Sequence, residues 1–160
     1  MAKQNKNNDN ENLDESVETE ETSATQNDLM EKYFAVSVLR DFVLPDLLDK
    51  DTPELLYWAG KDLSRRLAIQ DMNDLPNVFK NAGFGELEIA SQTKASYKYV
   101  LSGPEVIQRF NLNNDDPEFS LESGFISETV QNTLGAACMG SFTLDLKNKV
   151  VNILIQIERN

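Results

Sequence analysis

The chain is 160 residues long with a formal net charge of -12, half of it in Met1–Asp28, where two lysines stand among eight acids. That length suits one compact domain, and acidity without a basic stripe disfavours nucleic acid and anionic membranes, whose phosphates require clustered Lys and Arg. The chain has no histidine and one cysteine, Cys138; this excludes Ser/His/Asp and Cys/His nucleophilic sites, histidine-ligated zinc, an internal disulfide and a Cys-x-x-Cys redox pair.

Residues 1–28 are rich in Asn, Glu, Ser and Thr and nearly devoid of large apolar groups. They cannot bury enough surface to offset backbone ordering of about 1–2 kcal/mol per residue, so a disordered acidic tail is expected, followed by a single α+β domain over 29–160. The tail has neither the apolar stretch of a secretory signal nor the arginines of a transit peptide. No window reaches the roughly 18 apolar residues of a membrane span, and a cytoplasmic protein is expected.

The first helical pattern is "LMEKYFAVSVLRDFVLPDLL". Met30, Tyr33, Phe34, Ser37, Val38 and Phe42 recur at spacings of three and four, the stripe of a helix half sunk in a core. Asn27 or Asp28 can supply the N-cap, and Pro45 predicts a kink or stop near Leu44. In "DTPELLYWAGKDLSRRL", Thr52 caps the next helix and Pro53 opens it. Leu56, Ala59, Gly60, Leu63 and Leu67 line the packing face; Lys61, Asp62, Ser64 and Arg65 line a solvated one. Gly60 on the apolar stripe permits close backbone approach.

"DLPNVFKNAGFGEL" predicts a short helix over Leu75–Ala82 with Gly83 as a left-handed cap. Period two then takes over, with Leu87 and Ile89, then Tyr97, Tyr99 and Leu101, facing inward across a hairpin whose loop is Gln92–Ala95. Outside, the strand glutamates pair with Lys98. "SGPEVIQRF" starts a helical turn at Pro104 that buries Val106, Ile107 and Phe110, and Asp115 and Asp116 belong to a polar turn. "SLESGFISETVQNTLG" is the last helix, ended by Gly135; Leu121, Gly124, Phe125 and Glu128 share one stripe. A carboxylate beside Phe125 is paired with a cation or displayed into a cavity. Two strands close the chain: Phe142, Leu144 and Leu146, then Val151, Ile153, Ile155 and Ile157. Val150 and Leu154 give the last strand apolar area on its second face, as an interior strand or one facing a partner would have.

The stretches "LPDLL", "LLYWAGKDLSRR", "NAGFGEL", "SGPEVIQR" and "FSLESGFISETVQ" resemble the DUF2507 family, uncharacterised small cytoplasmic proteins of Gram-positive bacteria, over roughly Lys32–Gln131. That family looks like a distant relative of vinyl-reductase-type ligand-binding domains and TRAPP subunits. The resemblance implies an α+β fold with an antiparallel four-stranded sheet of two hairpins, helices on one face, commonly a homodimer, sometimes with a cavity for a small hydrophobic molecule or acyl chain. The cysteine pair of many vinyl-reductase-type domains is not reproduced, so no metal is expected.

Two functional readings stand side by side. A sensor would hold a small hydrophobic ligand in an apolar cavity, with Trp58, Arg65, Tyr97, Tyr99, Phe125 and Glu128 as candidate residues and Arg65 as anion partner. An interaction or dimerisation module would use the second face of the last strand and the tail. Catalysis is the weaker expectation: "AGFGEL" has no third glycine and leads into a strand, so it cannot cradle a dinucleotide. No cofactor is expected.

Overall fold

The computed structural model of the chain describes residues 31, 33–113 and 115–158; the expectations for the 1–28 tail, for caps at Asn27 or Asp28 and for Met30 lie outside them. Residues 33–48 form one helical run, α1: α-helical over 33–38, π-helical over Leu39–Val43 and α-helical over Leu44–Leu48. Pro45 does not stop it. The run widens just ahead of the proline, with the Leu44 N–H donating to the Leu39 carbonyl five residues back, so the missing donor of Pro45 falls where the ladder is already irregular. The buried face also differs from expectation. Ser37 is buried as read, but so is Asp41, while Phe34 and Phe42, which the spacing placed inside, are 51% and 43% exposed.

Helix α2 (Thr52–Leu67) opens on Pro53. Thr52 does not cap it as expected; its hydroxyl donates back to the Asp49 carbonyl at 2.6 Å. Leu56 and Gly60 are buried as read, but so are Lys61 and Ser64, which the periodicity placed in solvent, while Leu67 is exposed. Helix α3 (Leu75–Ala82) ends at Gly83 with φ 70°, the left-handed cap the sequence called for.

Strands β1 (Glu86–Gln92), β2 (Ser96–Ser102), β3 (Cys138–Asp145) and β4 (Val150–Ile157) form one antiparallel sheet in the order β1-β2-β4-β3. Strand β4 lies between two neighbours, the interior position read from its sequence, and Val150 and Leu154 of its second face are half-buried. A bulge between Ile89 and Ser91 sets Ser91, not a glutamate, opposite Lys98. Tyr97, Tyr99, Leu101, Val151, Ile153 and Ile155 are buried under the helices.

Between the hairpins run α4 (Pro104–Leu112) and α5 (Ser120–Leu134). On α4, Val106 and Phe110 are buried as expected but Ile107 is exposed, its place inside taken by Gln108 and Arg109. Helix α5 is buried without a break from Glu122 to Val130 and packs against α2, β3 and β4. A Cβ on Gly60 would lie 2.0 Å from the Leu121 carbonyl oxygen and one on Gly124 2.1 Å from that of Tyr57. The α2–α5 crossing is therefore a backbone-to-backbone contact that no larger residue fits.

Candidate functional site

Because α2 and α5 touch at their glycines, the side chains flanking the crossing meet in a polar seam. Glu128, 3% exposed, accepts from Arg65 Nε at 2.7 Å and from Lys61 Nζ at 3.3 Å. Lys61 also reaches Gln131 Oε1 at 3.4 Å, and that oxygen accepts the Cys138 backbone N–H. Ser64 and Thr129 share a hydrogen bond of 2.8 Å. The Tyr57 hydroxyl donates to Ser127 Oγ at 3.2 Å and accepts the Gly140 N–H at 3.0 Å, tying α2 to β3. Burial pushes the Glu128 carboxyl up, but hydrogen bonds from Arg65 and Lys61 outweigh it and hold the group below its ordinary value.

A second buried network joins α1, α4 and α5. Arg109, 4% exposed, donates to both oxygens of Asp41 at 2.8–3.1 Å, to Glu122 Oε1 at 3.3 Å and to the Glu118 carbonyl at 2.5 Å. Its guanidinium lies 4.1 Å from the Phe119 ring centroid. Arg40 donates to the same Glu122 Oε1 at 2.6 Å and sits over the Phe84 ring. Burial draws the Arg40 guanidinium below its ordinary value despite Glu122. Two cations face two anions, so the cluster is neutral as it stands. The sequence reading missed Asp41, Arg109 and Glu122; the available signal was a charge at the period of an otherwise apolar helix face.

The six candidate residues fall in three places. Trp58, Arg65 and Glu128 gather around Lys61, whose Nζ is 5.9 Å from the Trp58 ring centroid; Trp58 itself is 55% exposed. Tyr97 and Tyr99 stack on the inner face of the sheet, 6.4 Å between centroids. The Tyr99 hydroxyl is buried with no hydrogen-bond partner among the described residues, and burial, helped by Tyr97, pushes its pKa up to about 12. Phe125 is a core ring set edge-on to Phe79 and Phe84.

None of the six lines the two clefts beside α1. One, of about 600 Å³, lies between Tyr33 and Val36 of α1, the Gly83–Gly85 turn and Glu105 of α4. The other, of about 390 Å³, lies between Glu31, Phe34 and the Gln108–Leu112 edge of α4. Among the described residues no group of three or more His, Cys, Asp and Glu is placed to hold a metal ion, and no helix is long and apolar enough to cross a membrane.

An antiparallel sheet of two hairpins roofed by buried helices defines an α+β fold. A vinyl-4-reductase family protein of Methanocaldococcus jannaschii superposes with a TM-score of 0.57 at 17% identity, over 81% of this chain and 82% of that one. The chain belongs to the family described as protein of unknown function DUF2507, whose pattern matches residues 33–156. The uncharacterized protein YslB of Bacillus subtilis is 37% identical over 98 residues, 61% of this chain and 66% of that protein, just under two thirds of its length. A trafficking protein particle complex subunit 3 from Naegleria fowleri, solved covalently bound to palmitic acid, aligns at 12% identity over 86% of this chain and 97% of that one. Its TM-score of 0.44 carries no inference about this chain.

Proposed function

We propose that this domain is a non-catalytic interaction module that pairs with a second copy of itself through the outer face of α1. The observation that carries the reading is the inverted polarity of that helix. Ser37 and Asp41 turn to the body, whereas Val36, Leu39, Val43 and Leu47, at spacings of three, four and four, stand 39–74% exposed along the opposite side. A helix that spends its polar face on its own domain and offers an apolar stripe to water is built to be covered. Phe42 extends the stripe, and a symmetric pair doubles the area covered, towards the 1,000 Å² or so that a biological interface should clear. A second copy supplies the same stripe, self-complementary about a two-fold axis.

The buried carboxylates support a scaffold role over chemistry. Asp41, Glu122 and Glu128 are each held by one or two cations, so none stands free as a base. In this reading Arg65 and Glu128 lock α2 to α5, Tyr97, Tyr99 and Phe125 fill the core, and Trp58 rests on the surface beside Lys61.

Sedimentation equilibrium of the full chain at micromolar concentration tests the proposal. A dimer is expected, and Leu39→Glu with Leu47→Glu should give a folded monomer. A wild-type monomer, or a dimer that survives both substitutions, overturns it.

A further inference from the structure

We infer that the open end of β3 is a second contact between copies of this chain, in which residues 142–144 pair antiparallel with the same stretch of the partner about a two-fold axis at Thr143. Strand β3 is an outer strand of the sheet, joined to β4 alone. The Cys138 and Gly140 N–H groups turn away from β4, the first to Gln131 Oε1 and the second to the Tyr57 hydroxyl. Strand alternation turns the backbone groups of Phe142 and Leu144 the same way. Among the described residues no backbone group outside β3 pairs with them. The edge is therefore capped by side chains at one end and bare at the other.

The opposite edge is built differently. Strand β1 carries a bulge between Ile89 and Ser91 and two exposed glutamates, Glu86 and Glu88, devices that stop an edge from adding another strand. Strand β3 keeps a regular register along its length and has no charge or proline from Cys138 to Leu144. Its open end is also its own complement. With Thr143 on the axis, Phe142 faces the partner's Leu144 on the helix side of the sheet. On the open side Thr143 faces its own copy, and the Ser141 hydroxyl meets the partner's Asp145 carboxylate. Each pairing of Phe142 with the partner's Leu144 exchanges two ladder bonds, about four in all, and one sheet runs on into the next. So short a ladder falls short of the roughly 1,000 Å² of a stable interface. It therefore joins copies only at high concentration, after pairing through α1, and needs none of the residues of that stripe.

Disulfide trapping in the full chain tests the inference. On the axis the two Cα atoms of residue 143 form a non-hydrogen-bonded pair about 4.5 Å apart, so Thr143→Cys should give a covalent dimer under air with a copper–phenanthroline catalyst. Asn152→Cys, exposed on the same face but one strand further in, sets its thiols roughly 14 Å apart and should cross-link about tenfold more slowly or not at all. Trapping should persist with Leu39→Glu and Leu47→Glu, which separates this contact from pairing through α1. Sedimentation velocity of the native chain at millimolar concentration should show a further association step. Thr143→Lys, whose ammonium groups would face each other on the axis, should lack it, and mixing with Thr143→Glu should restore it. Equal cross-linking of Thr143→Cys and Asn152→Cys, loss of trapping with the α1 substitutions, or no rescue on mixing overturns the inference.

Discussion

Gly60 and Gly124 each press against the partner helix's backbone, so α2 and α5 cross with no side chain between them at that point. Gly60→Ala forces a methyl group to within 2.0 Å of the Leu121 carbonyl oxygen unless the helices part. Urea unfolding should show a loss of about 3 kcal/mol, at the upper end of overpacking costs. Adding Gly124→Ala should cost clearly less than a second such loss, because helices already apart have room for both methyls.

Arg109→Leu should free α1. The substitution leaves Asp41 buried without its bidentate partner and Glu122 with Arg40 alone, and breaking a buried ion pair from one side costs about 3–5 kcal/mol. Hydrogen exchange over residues 33–48 should accelerate well beyond that of α5, because α1 draws its buried contacts from this network. Arg109→Lys should rescue only in part, since an ammonium cannot hold both Asp41 oxygens in a fork. Equal exchange in both helices would mean that apolar contacts alone hold α1 down.

The Glu128 seam predicts an acid-sensitive term in stability. Its carboxyl is held below the ordinary 4.5 in the folded chain, so the unfolded chain takes up the proton first. The stabilisation is complete above that ordinary value and fades as pH falls through the lower folded value. Glu128→Gln should therefore be less stable than the native chain near neutrality, and the gap should narrow as pH drops below about 4.5. A gap independent of pH over that range would show that the pair contributes geometry without charge.

Cys138 should react slowly with a water-soluble disulfide reagent. It is 4% exposed, and burial pushes its thiol above the ordinary 9.0, so little thiolate is present and less is reachable. Addition of denaturant should raise the rate by several orders of magnitude, the native rate reporting global opening.

Much of the fold was readable in the residues. The Gly83 and Gly135 caps, the Pro53 start, and the period-two faces of Tyr97, Tyr99, Leu101 and Val151, Ile153, Ile155 arise from local rules that act within a turn or a pleat. The orientation of α1 was not. Ser37 was placed inside, but Asp41 beside it carries a charge that spacing alone cannot put there; the answer comes from Arg109, 68 positions away. Lys61 was placed in solvent for the same reason, its partner Glu128 lying 67 positions on. Pairings between helices distant in sequence leave no periodic trace, and the clefts beside α1 depend on them.

The π turn at Leu39–Val43 makes the chain sensitive to length there. A π turn holds one residue more than the α-helix around it, so deleting Leu39, which precedes Asp41, would let the run close as regular α-helix but swing residues 33–38 by about 100° about the helix axis. Phe34 would leave its cleft and Val36 the outer stripe, while the fork between Asp41 and Arg109 could stay shut. Loss of that one codon should therefore abolish both contacts upstream of it and spare the anchor, a distinction no point substitution can draw.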